Sequence, residues 1–322
     1  MKSKIVVLAL TLAFCCSAAA QNYPTRNITM IVPFAAGGPT DLLGRLLAQR
    51  MGEILGRTVI VENITGAGGM TGMKRLADAR PDGYTIGIGT VGTHAQNQWL
   101  YDHPAYNAVT DFTPVALIAE VPIVVFARKD LPVSNLKEFA AYAKKNQAAM
   151  QFGSGGAGSA SHLACVVLNT AIGTNITHVP YKGGEPAMQD VMAGRMDFGC
   201  DLISTVKPQI DSGSVKALAV MSTARSPVEP NLPTAAEQGV NAQAYSWNAV
   251  FLPKGTPDDL VKKLNAAALE AMKTPAFRDR LGSLGAQVVS QDRASPEYLA
   301  SFVKSEIAKW QGPIKASGVK VQ

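Results

Sequence analysis

Ile28-Thr-Met-Ile-Val-Pro-Phe-Ala-Ala-Gly-Gly-Pro-Thr-Asp41 is the stretch whose reading decides the fold. It opens with a β-branched, apolar run that suits a buried strand. It then breaks at two glycines and a proline and leads into Asp41–Leu55, where Leu42, Leu43, Leu46, Leu47, Met51, Ile54 and Leu55 recur at helical spacing. Strand, glycine turn and amphipathic helix together form the first half of a βαβ unit. Thr58–Val61 supplies the next strand, a glycine loop leads to a helix over Met70–Ala79, and Arg80–Gly83 turns the chain into a strand over 84–89. This order predicts a parallel sheet with helices on both faces.

The pattern then recurs. A strand over Val121–Phe126, a helix over Leu136–Lys145, a strand over Met150–Gly153 and a helix over Ser159–Thr170 are followed by a strand over Ile176–Tyr181 and a helix over Pro186–Ala193. Strands over Met196–Leu202, Val215–Met221 and Tyr245–Leu252 come next, and the remainder is helical, with starts at Thr256-Pro257 and Ser295-Pro296. The expected fold class is α/β, with two doubly wound lobes and a ligand cleft between them. Lobe 1 is expected to hold residues 21–124 plus 248–322, because the second set already has helices enough to cover its sheet. Lobe 2 is expected to hold 125–247.

Composition narrows the function. The chain has 322 residues, 47% of them hydrophobic and 17% charged, which excludes disorder. Lys2 and Lys4, an apolar run to Cys16 and the small residues Ala18–Ala20 read as a secretory signal peptide over 1–20, too short to span a membrane. Its removal takes two lysines and no acid, so the net charge of +6 falls by two. No basic run points to nucleic acid. Cys165 and Cys200 remain, either as a bridge or as two buried thiols.

Motifs of catalysis are scarce. There is no HExxH and no CxxC, so neither a metal nor a catalytic zinc is expected, and Ser154 lacks the flanks of a nucleophile elbow. Ser159 or Ser161 with His162 is the one arrangement that would suit an exported serine hydrolase. Gly153-Ser-Gly-Gly-Ala-Gly158 satisfies GxGxxG, but no acid stands between Ser154 and Gly184 to hold a ribose, although Lys182 could meet a phosphate. No cofactor is expected.

The glycine loops have another use. Glycines let a ligand approach the backbone, whose successive N–H groups, together with the positive end of the following helix, attract an anion. The loops at Pro33–Asp41 and Phe152–Ser161 should sit at the carboxyl edges of their sheets, where open α/β folds bind ligands. Neither loop holds an arginine. Arg45, one turn into the first helix, is expected to face solvent or to pair with an acid.

At this point the residues resemble a known family, the exported solute receptors of tripartite tricarboxylate transporters, called Bug proteins in some bacteria. The resemblance is carried by PFAAGGPTD (Pro33–Asp41), GAGGMTG (Gly66–Gly72), PDGYT (Pro81–Thr85) and DFTPVALI (Asp111–Ile118). It continues through FGSGGAGSASHLA (Phe152–Ala164), HVPYKGGEPA (His178–Ala187) and GRMDFGCD (Gly194–Asp201). It implies a non-enzymatic periplasmic receptor, monomeric, with lobes like those of type II periplasmic binding proteins. Such a receptor would close on a small organic carboxylate and deliver it to inner-membrane permease subunits. A sensor that reports its ligand to a signalling protein fits the same fold. By the same resemblance, Phe34, Ala35, Gly38, Thr40 and Asp41 grip the ligand from one side, and Ser154, Gly155, Gly156 and Ser159 from the other. Thr93 and His94 belong to a third wall, and Asp201 to a further pocket position. Trp99 and Trp247 are candidates to stack on a ring-bearing acid, with core packing as their alternative.

Overall fold

The computed structural model describes residues 23–181 and 183–320. The signal-peptide reading of 1–20 and the phosphate role of Lys182 lie outside the described residues. Strand β1 (Ile28–Val32) leads through the first glycine loop into α1 (Pro39–Leu55), and β2 (Val59–Asn63) into α2 (Met70–Ala77). β3 (Thr85–Thr90) follows, then a single π-helical turn over Gly92–Gln96 and the short α3 (Asn97–Leu100). β1 pairs in parallel with both β2 and β3, so the turns after all three strands share one sheet edge.

The long β4 (Phe112–Arg128) connects two sheets. Its first part pairs antiparallel with β9 (Tyr245–Pro253), with register partners running from Phe112↔Pro253 to Pro122↔Tyr245. From Ile123 onward its partners are β7 (Phe198–Leu202) and β8 (Val215–Val220). The sequence reading places only residues 121–126 in a strand. The actual strand is 17 residues long because no turn residue interrupts it, and Pro122 falls where the pairing changes sheets. β9 also pairs antiparallel with β3, so the first sheet is mixed rather than wholly parallel. β10 (Gln287–Val288) adds to β4.

In the second sheet β5 (Gln151–Ser154) pairs in parallel with β6 (Thr177–Pro180) and with β7. Its helices are α4 (Leu136–Asn146), α5 (Ala160–Ile172), α6 (Gly184–Met192) and α7 (Ile203–Asp211). The last of these is absent from the sequence reading, where a proline at position 208 masks it. The tail forms α8 (Asp258–Lys273), α9 (Pro275–Ser283) and α10 (Pro296–Ser317). α8 packs on α1 and β4, while α10 packs on β4, α3 and α5 and so touches helices attached to both sheets. Its Glu306, almost fully buried, accepts from Trp247 Nε1 at 3.0 Å and from Lys309 at 3.0 Å, and this pins the tail to β9.

Cys165 and Cys200 are bonded, with Cα atoms 5.6 Å apart, and tie α5 to β7. The bridge closes a loop of 35 residues, for which chain entropy gives about 4 kcal/mol. Both sulfurs are buried in the core. Among the described residues no helix is long and apolar enough to cross a membrane.

Candidate functional site

The first loop is held from below by Asp41. This carboxylate, 1% exposed, accepts from the Gly37 amide at 2.8 Å, from Arg45 Nε at 2.9 Å and from Asn63 Nδ2 at 2.8 Å. Asn63 also donates to the Phe34 carbonyl at 2.9 Å and accepts from Arg45 at 3.0 Å. Burial opposes the charge on Asp41, but the bonds from Arg45, Gly37 and Asn63 outweigh it and hold the carboxyl below its usual range. Both oxygens are therefore committed to the loop itself. Through these bonds Asp41 holds the loop in place, and Arg45 spends its charge on Asp41.

What the loop leaves free is more informative. Gly38 begins α1 in an extended conformation with no side-chain cap, and Pro39 has no N–H. Among the described residues, no hydrogen bond takes up the amides of Thr40 and Asp41. A helix N-terminus with uncommitted donors attracts an anion. Phe34 is half-buried, Ala35 is exposed, and Gly37 takes the positive φ of +85° that the turn requires.

The second loop is built differently. Ser154 Oγ lies 2.6 Å from His178 Nε2 and 3.2 Å from the Gly156 amide. The Gly155 amide donates to Ser161 Oγ at 2.9 Å, the Gly158 amide to His162 Nδ1 at 3.1 Å, and Ser159 Oγ to the Gly156 carbonyl at 2.7 Å. Ser159 caps α5 by accepting from the His162 amide. Most polar groups of Ser154, Gly155, Gly156 and Ser159 are therefore satisfied within the loop. The amides of Ala160 and Ser161, in the first turn of α5, have no partner among the described residues.

His162 and His178 stack beneath this loop with ring centroids 3.8 Å apart. Burial, aided by the neighbouring His178, lowers His162 to about 4, and burial also lowers His178. The ring nitrogen Nδ1 of His162 faces a backbone donor, and neither Ser159 nor Ser161 hydrogen-bonds to its ring. The pairing of Ser159 or Ser161 with His162 that the sequence offered is therefore not formed, and the serine bonded to a histidine here is Ser154, with His178.

The third wall also differs from expectation. Thr93 and His94 are both 0% exposed. His94 turns into the core, stacks on Phe251 at 3.8 Å and packs near Phe112 at 4.7 Å; burial lowers it to about 3. Its Nδ1 lies 2.9 Å from Thr93 Oγ1, which holds the ring within this aromatic cluster. The same segment nevertheless connects the loops. A Cβ on Gly69 would meet Thr93 at 2.7 Å and Phe34 at 3.2 Å, Asn97 donates to the Gly68 carbonyl at 3.0 Å, and Leu100 sits 3.4 Å from where a Gly158 Cβ would be. Residues 93–100 thus run between the glycine turns of the first sheet and that of the second.

Asp201, next to last in β7, lies at the same edge as the second loop. Its Oδ1 accepts from the Leu202 amide at 2.7 Å, and its Oδ2 is 2.6 Å from the position of a Gly184 Cβ. Burial raises its carboxyl to about 6, against the opposing Leu202 bond. Neither tryptophan faces the loops. Trp99 Nε1 donates to the Ile307 carbonyl at 2.7 Å, and Trp247 is fully buried. Sequence reasoning missed Asn63, three residues before the Gly66–Gly72 motif, and His178, the first residue of HVPYKGGEPA.

Known proteins share this architecture. The family described as tripartite tricarboxylate transporter family receptor matches residues 43–319. An Agrobacterium vitis protein, the UPF0065 protein in the TAR-I ttuE-ttuC' intergenic region, is 39% identical over 99% of this chain and 92% of its own. The structure of MatC from Rhodopseudomonas palustris with bound malate is 40% identical, with a TM-score of 0.76 over 91% of this chain and all of that one. The periplasmic binding protein BugD is 42% identical, also with a TM-score of 0.76, over 93% of this chain and 100% of its own. The fold is that of the periplasmic binding proteins, and the chain belongs to the receptor family of the tripartite tricarboxylate transporters.

Proposed function

We propose that this chain is a periplasmic receptor that captures a small organic carboxylate, a di- or tricarboxylate or an aromatic acid, and delivers it to the permease subunits of a tripartite tricarboxylate-type transporter. The observation that carries this reading is the pair of helix N-termini at the carboxyl edges of the two sheets. Each has two backbone donors uncommitted: Thr40 and Asp41 on α1, Ala160 and Ser161 on α5. In this reading the two sheets are the cores of two lobes, residues 21–124 with 248–322 and residues 125–247. The strand crossings at Pro122–Ile123 and before Tyr245 then act as the hinge.

An acid with a carboxylate docks on one N-terminus, and closure brings up the other. Micromolar affinity requires about 8 kcal/mol. Charge-assisted hydrogen bonds contribute about 1.5–3 kcal/mol each, so four such amides with helix-end electrostatics reach that sum after the cost of ordering. The malate bound in MatC, a relative of 40% identity, supports a carboxylate as the ligand class.

Calorimetry on ligand-stripped protein with mono-, di- and tricarboxylates tests the reading. Binding of at least one acid at micromolar level, with no ester turnover, is expected. Failure of every acid to bind folded protein overturns it. Loss of uptake of the bound acid on deletion of the gene tests the link to transport.

A further inference from the structure

Two carboxamides near the first loop stand out because nothing in the protein uses them. Gln96 is 3% exposed and Asn248 is 5% exposed, yet neither side chain makes a hydrogen bond among the described residues. Gln96 Nε2 is a fully buried donor without an acceptor, and Asn248 Oδ1 a fully buried acceptor without a donor. Buried polar groups are nearly always paired, so an orphan of each kind in one region calls for a specific partner. Asn248 is the more telling of the two, being the single carboxamide in the otherwise largely apolar β9.

The register places them together. Asn248 is the cross-strand partner of Thr90 in the β3–β9 pair, so their side chains share a face. Gln96 closes the π-helical turn that follows β3. A Cβ placed on Gly92 would find Gln96 Oε1 at 3.9 Å and Thr90 Oγ1 at 3.5 Å and nothing else within 4 Å. Gly92 is itself only half-buried, so the space above it is open and lined by polar atoms.

The shared face is also the face of the first loop. Ile88, two residues before Thr90 and so on the same side, lies 3.7 Å from the Cβ position of Gly44 in α1. Moving from Ile88 to Thr90 advances about 7 Å toward the carboxyl edge. Moving back from Gly44 to Thr40 follows α1 by about 6 Å toward the same edge. The orphan amides therefore lie beneath the uncommitted first turn of α1.

We propose that Gln96 and Asn248, with Thr90, form a specificity subsite that reads a hydroxyl group on the bound acid, so that hydroxy acids are selected over their unsubstituted counterparts. This inference rests on the carboxylate-receptor reading and narrows its ligand class. A hydroxyl satisfies both orphans at once, accepting from Gln96 Nε2 while donating to Asn248 Oδ1. An ammonium group would leave the Gln96 donor unmet, and a carboxylate would leave the Asn248 acceptor unmet. A hydrogen bond of this kind, doubled, discriminates by about tenfold or more.

The test is calorimetry with matched acids: succinate, glutarate and adipate, each against its 2-hydroxy derivative, tricarballylate against citrate, and phenylacetate against mandelate. The hydroxylated member of at least one pair is expected to bind about tenfold more tightly. Gln96→Met and Asn248→Leu should each erase that preference while leaving the unsubstituted acid within about threefold. Gly92→Ala, which has room for its methyl and no positive φ, is the variant least prone to misfolding and should reduce the preference by crowding the subsite. Binding of acids with no hydroxyl preference would show that the orphans hold only water; it would overturn this inference and leave the carboxylate reading standing. A preference that survives in Gln96→Met and Asn248→Leu overturns it as well. If no acid of any pair binds, both readings fail.

Discussion

Asp41→Ala removes the anchor of the first glycine loop, and its cost can be worked from the contacts. The carboxylate accepts neutral donors from the Gly37 amide and Asn63 at 2.8 Å each. Hydrogen bonds to a charged group are worth about 1.5–3 kcal/mol. The third bond, from the half-exposed Arg45, is screened by solvent and counts for about 0–1 kcal/mol. Because residues 35–37 are exposed, the released donors find water and part of the loss is recovered. The net expectation is about 3 kcal/mol, or about 5 °C in Tm for a chain of this size. Urea unfolding followed by tryptophan fluorescence reads it.

The pH dependence has a definite sign. The folded Asp41 carboxyl sits below its unfolded value, so its contribution is present above about pH 4 and is lost as pH falls through the folded pKa. The difference between wild type and Asp41→Ala should shrink below pH 4. Ligand affinity should fall about tenfold in Asp41→Ala, because the amides of Thr40 and Asp41 lose their fixed aim. Asp41→Asn separates positioning from direct contact. If the aspartate faced the bound anion, removing its charge would tighten binding; weaker binding is expected. Unchanged stability in Asp41→Ala, or tighter binding in Asp41→Asn, would refute the reasoning.

Reducing the Cys165–Cys200 bridge, or replacing both cysteines with alanine, should cost about 4 kcal/mol by chain entropy, measured as a lower urea midpoint with a steeper slope, because the unlinked unfolded chain is more expanded. Asp201→Asn should stabilise the protein near pH 8 but not near pH 4. The raised carboxyl favours the native state below its unfolded pKa, and that advantage is lost as pH rises through about 6; thermal melts at the two pH values check this. Trp247→Phe removes one of the buried Glu306's three donors, leaving Trp310 Nε1 at 3.3 Å and Lys309 at 3.0 Å, and should lower stability by about 1–3 kcal/mol, read by urea unfolding.

Much of the fold was legible because each βα unit carries its own punctuation. Ser159 and Ser295 cap the helices expected to start at them, and Leu136–Lys145 forms α4 to within a residue. What failed to show were features decided by tertiary contact. β4 runs through both sheets because residues 112–128 contain no turn, and nothing local marks the exchange of partners at Pro122–Ile123. His94 reads as a wall residue, yet Phe251 and Phe112 on distant strands draw it into the core. The glycine loops were visible as donors, but which amides stay free depended on side chains elsewhere: Asn63 and Arg45 around Asp41, His178 and His162 under Ser154 and Gly158. Trp247 had two roles open in the sequence, stacking on a ring-bearing ligand or packing in the core, and it is fully buried. Asn248 had a signal too, a carboxamide within Tyr245–Leu252, where a buried strand should have none without a partner.

Backbone amide shifts during titration test the anion-holding helix ends most directly. With nitrogen-15-labelled, ligand-stripped protein and whichever carboxylate binds by calorimetry, the amide protons of Thr40, Asp41, Ala160 and Ser161 should move downfield at saturation, more than those of Gly37, Gly155 and Gly158, whose hydrogen bonds are already made. Saturation that leaves those four amides unmoved while shifts gather around a lysine or arginine side chain would contradict it.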